Sequence, residues 1–127
     1  MKKWLALLLL ILLTTALVLP AAAANEETRD GNVINVVLDG STDWDSTVNN
    51  PKGLPIFAIA FEPSAANDKL VVRQNGAHGN KIFSGLDAAN SGLSRLYPGT
   101  VLFKPYIKAS DCTLGTPANA TVMIILK

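Results

Sequence analysis

From residue 33 onward, apolar side chains recur at every second position in short runs, the pattern of half-buried strands rather than of helices. In residues 33–38, Ile34, Val36 and Leu38 share one side, with Val33, Asn35 and Val37 on the other. In residues 55–61, Phe57, Ile59 and Phe61 oppose Ile56, Ala58 and Ala60, so both faces look covered and the small residues allow close approach of another layer. Residues 69–74 predict a strand with Leu70 and Val72 inward and Val71 and Arg73 outward. A short partner strand over 81–84 follows the loop NGAHGN, whose residues tolerate positive φ, which predicts a hairpin. The longest alternation covers 100–109, with Val101, Phe103, Pro105, Ile107 and Ala109 against Leu102, Lys104, Tyr106 and Lys108. Residues 121–126 (TVMIIL) are apolar on both faces and β-branched, which suits a central strand. The loop between these last two runs carries Gly115 and Pro117, so they are expected to pair with each other, the earlier strands packing around them. Pro105 cannot donate to a ladder, which predicts an edge or a bulge there.

The other segments are less periodic. Residues 25–32 (NEETRDGN) predict a flexible polar lead. Asp39-Gly40 is a turn signal opening a polar loop over 41–53, and residues 86–90 and 93–97 read as a helical turn or a short strand. Six or seven short strands with Gly, Pro and Asn turns predict an all-β chain forming a single small β-sandwich, immunoglobulin-like or jelly-roll-like, with a small closed barrel as runner-up. The lack of a cysteine pair removes the antibody-type signature.

The start of the chain changes the picture of where it works. Lys2 and Lys3, an apolar run from Trp4 to Leu19, then Pro20 and four alanines predict a cleavable signal helix ending at Ala24, with a retained membrane anchor as the alternative. The expected organisation is a signal peptide (1–24), a flexible polar lead (25–32) and a β-sandwich domain (33–127). Localisation is accordingly secreted, periplasmic or on the extracellular surface, with no membrane span after cleavage. Losing Lys2 and Lys3 turns the overall formal charge of +1 into −1. A near-neutral chain without a basic cluster is not built to bind nucleic acid. One cysteine, Cys112, makes no disulfide within the chain, so the hydrophobic core must hold the domain.

Candidate chemistry concentrates in Asp39-Gly40-Ser41-Thr42-Asp43-Trp44-Asp45. Asp39, Asp43 and Asp45 are candidate Ca²⁺ ligands, since that ion takes several hard oxygens, with Ser41, Thr42 or backbone carbonyls completing the shell. The alternative is a solvated loop with local capping. Trp44 is the sole tryptophan beyond the signal and, with Asp43 and Asp45, forms the candidate contact set for a protein or carbohydrate ligand; otherwise its ring closes the end of the sandwich. Tyr97 and Tyr106 pose the same question. A catalytic set is not expected: His78 is the one histidine, a Cys112–His78 pair has no supporting motif, and Glu62, Asp68, Asp87 and Asp111 are ordinary surface candidates. Asn119-Ala120-Thr121 matches a glycosylation triplet.

These features predict an exported, non-catalytic binding module that meets its ligand through end loops. The alternative is a homo-oligomeric structural subunit of a cell-surface or virion-like assembly, joined through edge strands or Cys112. A small secreted hydrolase is the third reading.

Overall fold

A computed structural model of the chain describes residues 24–115 and 118–127. The expected signal helix therefore lies outside the described residues, apart from Ala24. Alternation becomes strands over β2 (Val33–Val37), β4 (Ile56–Glu62), β5 (Asp68–Gln74), β6 (Lys81–Asp87) and β9 (Thr121–Leu126), although β6 runs past the expected 81–84 and Val71, expected to face outward, is buried. Among the described residues there are four more strands: β1 (Glu26–Asp30), β3 (Trp44–Asp45), β7 (Leu93–Leu96) and β8 (Pro105–Ile107). All pairings are antiparallel and form two sheets, β1-β2-β9-β4-β7 and β3-β8-β5-β6. Among the described residues helix is limited to two 3₁₀ turns, Ser46–Val48 and Ala109–Asp111. The chain is all-β and sandwich-like.

The β9 strand takes the central place its composition demands. Val122, Ile124 and Leu126 turn inward beside Ile34 and Val36 of β2 and Ile59 and Phe61 of β4, against Leu70, Val72, Phe83 and Ile107 of the second sheet. Near-complete burial of side chains of this size stabilises the fold by about 1.5–3 kcal/mol each.

Four further expectations are corrected. Residues 26–30 are not a flexible lead but strand β1, paired along its whole length with β2 from Glu26↔Val37 to Asp30↔Val33. The run over 100–109 is a strand only at 105–107, and its partners are β3 and β5, not β9. The loop after β8 carries the chain across to the other sheet. Pro105 lies inside the sheet order rather than at an edge. Lys104 turns both backbone groups towards β5, its N–H to Gln74 Oε1 at 2.7 Å and its C=O to Asn75 N–H at 3.0 Å. Alternation then aims the Pro105 nitrogen the other way, past the end of β3, where no donor is needed. Finally, a bulge between Ile56 and Ala58 inserts Phe57 as an extra residue, so Ile56, Ile59 and Phe61 are buried while Phe57 is half exposed.

Candidate functional site

The two sheets face each other along two seams, β1 over β3 and β7 over β6, and each seam is closed by polar side chains. At the first, Glu27 on β1 reaches the other sheet. Its Oε2 accepts the Trp44 indole N–H at 2.8 Å and its Oε1 accepts Asn49 Nδ2–H at 3.1 Å. Asn25 makes a second tie, donating from Nδ2 to Thr42 C=O at 2.7 Å and accepting Asp39 N–H at 3.0 Å. These ties hold open a recess of about 300 Å³ lined by Asn25, Glu27, Asp43, Trp44, Asp45 and Val48 among others. Among the described residues no lysine, arginine or histidine lines it.

Trp44 is only 5% exposed and belongs to the core cluster. Its ring closes the sandwich, and only its edge is available to the recess. The expectation of an exposed aromatic contact is thereby corrected: the ring needs an apolar bed, and Asp43 before the strand and Asp45 within it are less buried than the ring between them.

The three aspartates of this loop do not converge. Asp39 turns to its own loop, accepting Ser41 N–H and Thr42 N–H at 2.8 Å each and the Thr42 hydroxyl. Burial opposes its charge, and the hydrogen bonds from Thr42 and Ser41 outweigh it, so its carboxyl lies below the usual range. Asp43 accepts the Tyr106 hydroxyl at 2.6 Å and Ala109 N–H at 2.8 Å, which lowers its pKa and pushes the Tyr106 phenol up to about 12. Asp45 caps the 3₁₀ turn, its Oδ1 accepting Thr47 N–H at 2.8 Å and the Thr47 hydroxyl at 2.7 Å. Among the described residues no three His, Cys, Asp or Glu side chains are placed to hold a metal ion. The Ca²⁺ set Asp39, Asp43 and Asp45 is corrected on that geometry, since Asp39 and Asp45 are committed to local donors and Asp43 to Tyr106 and Ala109.

The remaining candidates lie elsewhere in the fold. Asp68 is 2% exposed and accepts four hydrogen bonds, from Ser64 N–H and Oγ–H, Ala65 N–H and Gly115 N–H, at 2.7–3.0 Å. Asp87, directly opposite it in the β5–β6 pairing, accepts the backbone N–H groups of Ala89, Ser91 and Gly92 and so shapes the loop into β7. Asp111 pairs with Arg73 at 2.7 Å. Glu62 and His78 are exposed, and Cys112 is half-buried with Sγ 3.9 Å from Val71 C=O, burial pushing its thiol pKa up. That is the setting of an inert packing thiol rather than a nucleophile. At the second seam, Arg95 and Tyr97 both donate to Ile82 C=O, at 3.0 and 2.7 Å, and the Arg95 guanidinium lies 5.5 Å from the centre of the Tyr97 ring.

The sequence pattern brought Asp43, Trp44 and Asp45 to one site and missed Asn25, Glu27 and Asn49. A signal for the first two existed. Gly31-Asn32 is a two-residue hairpin turn, with Gly31 at φ 57°, and it makes 26–30 the partner of 33–37 even though EETRD has no apolar face. Compared with known proteins, the chain matches no family model, no curated protein and no solved structure. Among the described residues no helix is long and apolar enough to cross a membrane.

Proposed function

We propose that the chain is an exported, non-catalytic binding module of jelly-roll type, taking a small hydroxyl-rich or cationic ligand in the recess between β1 and residues 42–49. Strand order supports the jelly-roll reading over the immunoglobulin-like one. With β1 set aside, eight strands form two four-stranded sheets, 2-9-4-7 and 3-8-5-6, so that strands adjacent in sequence alternate between sheets at every step but the β5–β6 hairpin. The basic start, apolar run and alanines at 1–24 support export.

The observation that carries the binding role is the recess itself. Its volume of about 300 Å³ is that of a small ligand pocket, and its lining sets the apolar surface of Trp44 and Val48 beside carboxylate and amide groups, with no fixed cation among the described residues. That lining repels anions and suits sugars and amines. The reading is non-catalytic because the buried carboxylates Asp68 and Asp87 are both consumed as backbone acceptors.

The test is Trp44 fluorescence during titration with methyl glycosides, a linear diamine and inorganic sulfate. Saturable shifts with a glycoside or the diamine but not sulfate are expected, lost in Val48→Arg, which fills the mouth from a residue 78% exposed. No response to any sugar or amine, or equal response in Val48→Arg, contradicts the proposal.

The structural-subunit reading is favoured by one separate observation, an apolar outer face on the larger sheet.

A further inference from the structure

The face of the five-stranded sheet that points away from the core is not polar. Pairing fixes which residues share it. Ala58 stands opposite Leu96 on one side and Ile125 on the other, Ile125 opposite Val33, and Val33 opposite Asp30. One row therefore reads Leu96-Ala58-Ile125-Val33-Asp30 across β7, β4, β9, β2 and β1. The next reads Ser94-Ala60-Met123-Asn35-Thr28, and Val37 lies in a third. Leu96 is 65% and Phe57 50% exposed, Val33, Val37, Ala60, Met123 and Ile125 are half-buried, and Ala58 lies at the floor of the face, buried below its larger neighbours. A sheet with one solvated face normally alternates apolar inside with polar outside. Here the central strand β9 is apolar on both.

We propose that this face is the interface with a second copy of the chain, packed sheet on sheet about a two-fold axis running along β9. Self-complementarity favours this occupant. A two-fold parallel to the strands reverses each row on itself, so Ile125 meets Ile125, Val33 of each copy meets Ala58 of the other, and Leu96 meets Asp30. Large residues on β2 thus face small ones on β4 twice over, the relation that lets two sheets interdigitate. The other in-plane axis would stack the acidic β1 edge, with Glu26 and Asp30, on its own copy, which like charges disfavour.

Area is also consistent. Five strands about 4.8 Å apart and about six residues long give a footprint of roughly 24 by 20 Å, before side-chain relief is counted. That flat footprint, about 480 Å², is slightly under the roughly 600 Å² per partner at which specific interfaces begin, which places the dimer at the weak end of the range. Edge-to-edge pairing is the weaker route. The β1 edge is charged, and Ile82 C=O on the β6 edge is already bonded to Arg95 and Tyr97.

The experiment is analytical ultracentrifugation of the full chain, recovered from a secreting host in the processed form that host leaves, between about 1 and 100 μM, where an interface at the weak end of that range associates. A reductant-insensitive dimer is expected. Ile125→Lys should make it monomeric. Leu96→Glu, at an exposed position, should weaken association by about tenfold or more through repulsion with Asp30 of the second copy, whereas Leu96→Lys should hold it. Circular dichroism of each variant separates lost association from lost folding. A monomer throughout the range, a dimer that reductant dissolves, binding of a wild-type monomer to phosphatidylcholine vesicles in place of self-association, or equal behaviour of Leu96→Glu and Leu96→Lys would each overturn the proposal.

Discussion

Asp68 shows how a polar residue becomes structural at the scale of one side chain. Burial alone would drive its carboxyl towards the neutral form, but donors from Ser64, Ala65 and Gly115 favour the charged form more, and the pKa is lowered. Asp87, across the β5–β6 pair, follows the same balance, desolvation outweighed by the N–H groups of Ser91, Gly92 and Ala89. A carboxyl whose folded pKa is depressed stabilises the fold above its unfolded value, about 3.9, and that stability is lost as pH falls through the folded pKa. Urea unfolding should therefore be flat from neutral pH down to about 5 and weaken below about 4. Asp68→Asn should remove part of that acid dependence. Asp68→Ala strands three backbone donors and should cost about 2 kcal/mol at neutral pH, read from the denaturation midpoint. A midpoint in Asp68→Asn that keeps the wild-type pH profile would contradict this account. The lone exception to satisfied polarity is Ser46 Oγ, buried and without a hydrogen-bond partner among the described residues.

Among the elements, the β5–β6 hairpin depends most on one glycine. Asn75 at φ 61° and Gly76 at φ 101° turn the chain, and Gly79 then passes so close to Gln74 that a Cβ would lie 1.4 Å from its carbonyl oxygen. The obstacle is backbone, which a rotamer change does not relieve. Gly79→Ala should thus open the turn, disturb the Arg73 bond to Gly79 C=O, and lower stability by about 2 kcal/mol or more in a urea melt. Gly31, with open space around its missing side chain, is the control, limited to the milder strain of its positive φ.

This hairpin was also the part of the fold most legible in the sequence, because a turn-rich loop joins two alternating runs. Strands β2, β4 and β9 were legible for the same local reason. Pairing was not: β8 and β9 are adjacent in sequence but sit in opposite sheets, and nothing in a period of two encodes which sheet a strand joins. β1 escaped because its inward positions, Glu27 and Arg29, carry charge, Glu27 making cross-sheet bonds rather than burying carbon. At the site, the cluster of Asp43, Trp44 and Asp45 was visible as a composition. The wall opposite it was not, since Asn25 and Glu27 matter only once the hairpin at Gly31-Asn32 folds them back.

For the whole molecule, strand order and the two polar seams give one consistent picture. Two sheets share a core, Glu27 and Asn25 tie one open side, and Arg95 and Tyr97 tie the other. The recess exists because the first tie spans a gap rather than filling it. Its carboxylate lining and the apolar outer face of the larger sheet are separate surfaces, so ligand binding and self-association should vary independently on mutation. The central claim is that residues 26–30 are a built wall of that recess and not a tail. Amide and indole hydrogen exchange followed by NMR tests it directly. The β1 amides bonded to β2 and the Trp44 indole N–H held by Glu27 should exchange far more slowly than loop amides, and Glu27→Ala should release the indole. Free exchange across 26–30 with an unprotected indole in the wild-type chain would contradict the account.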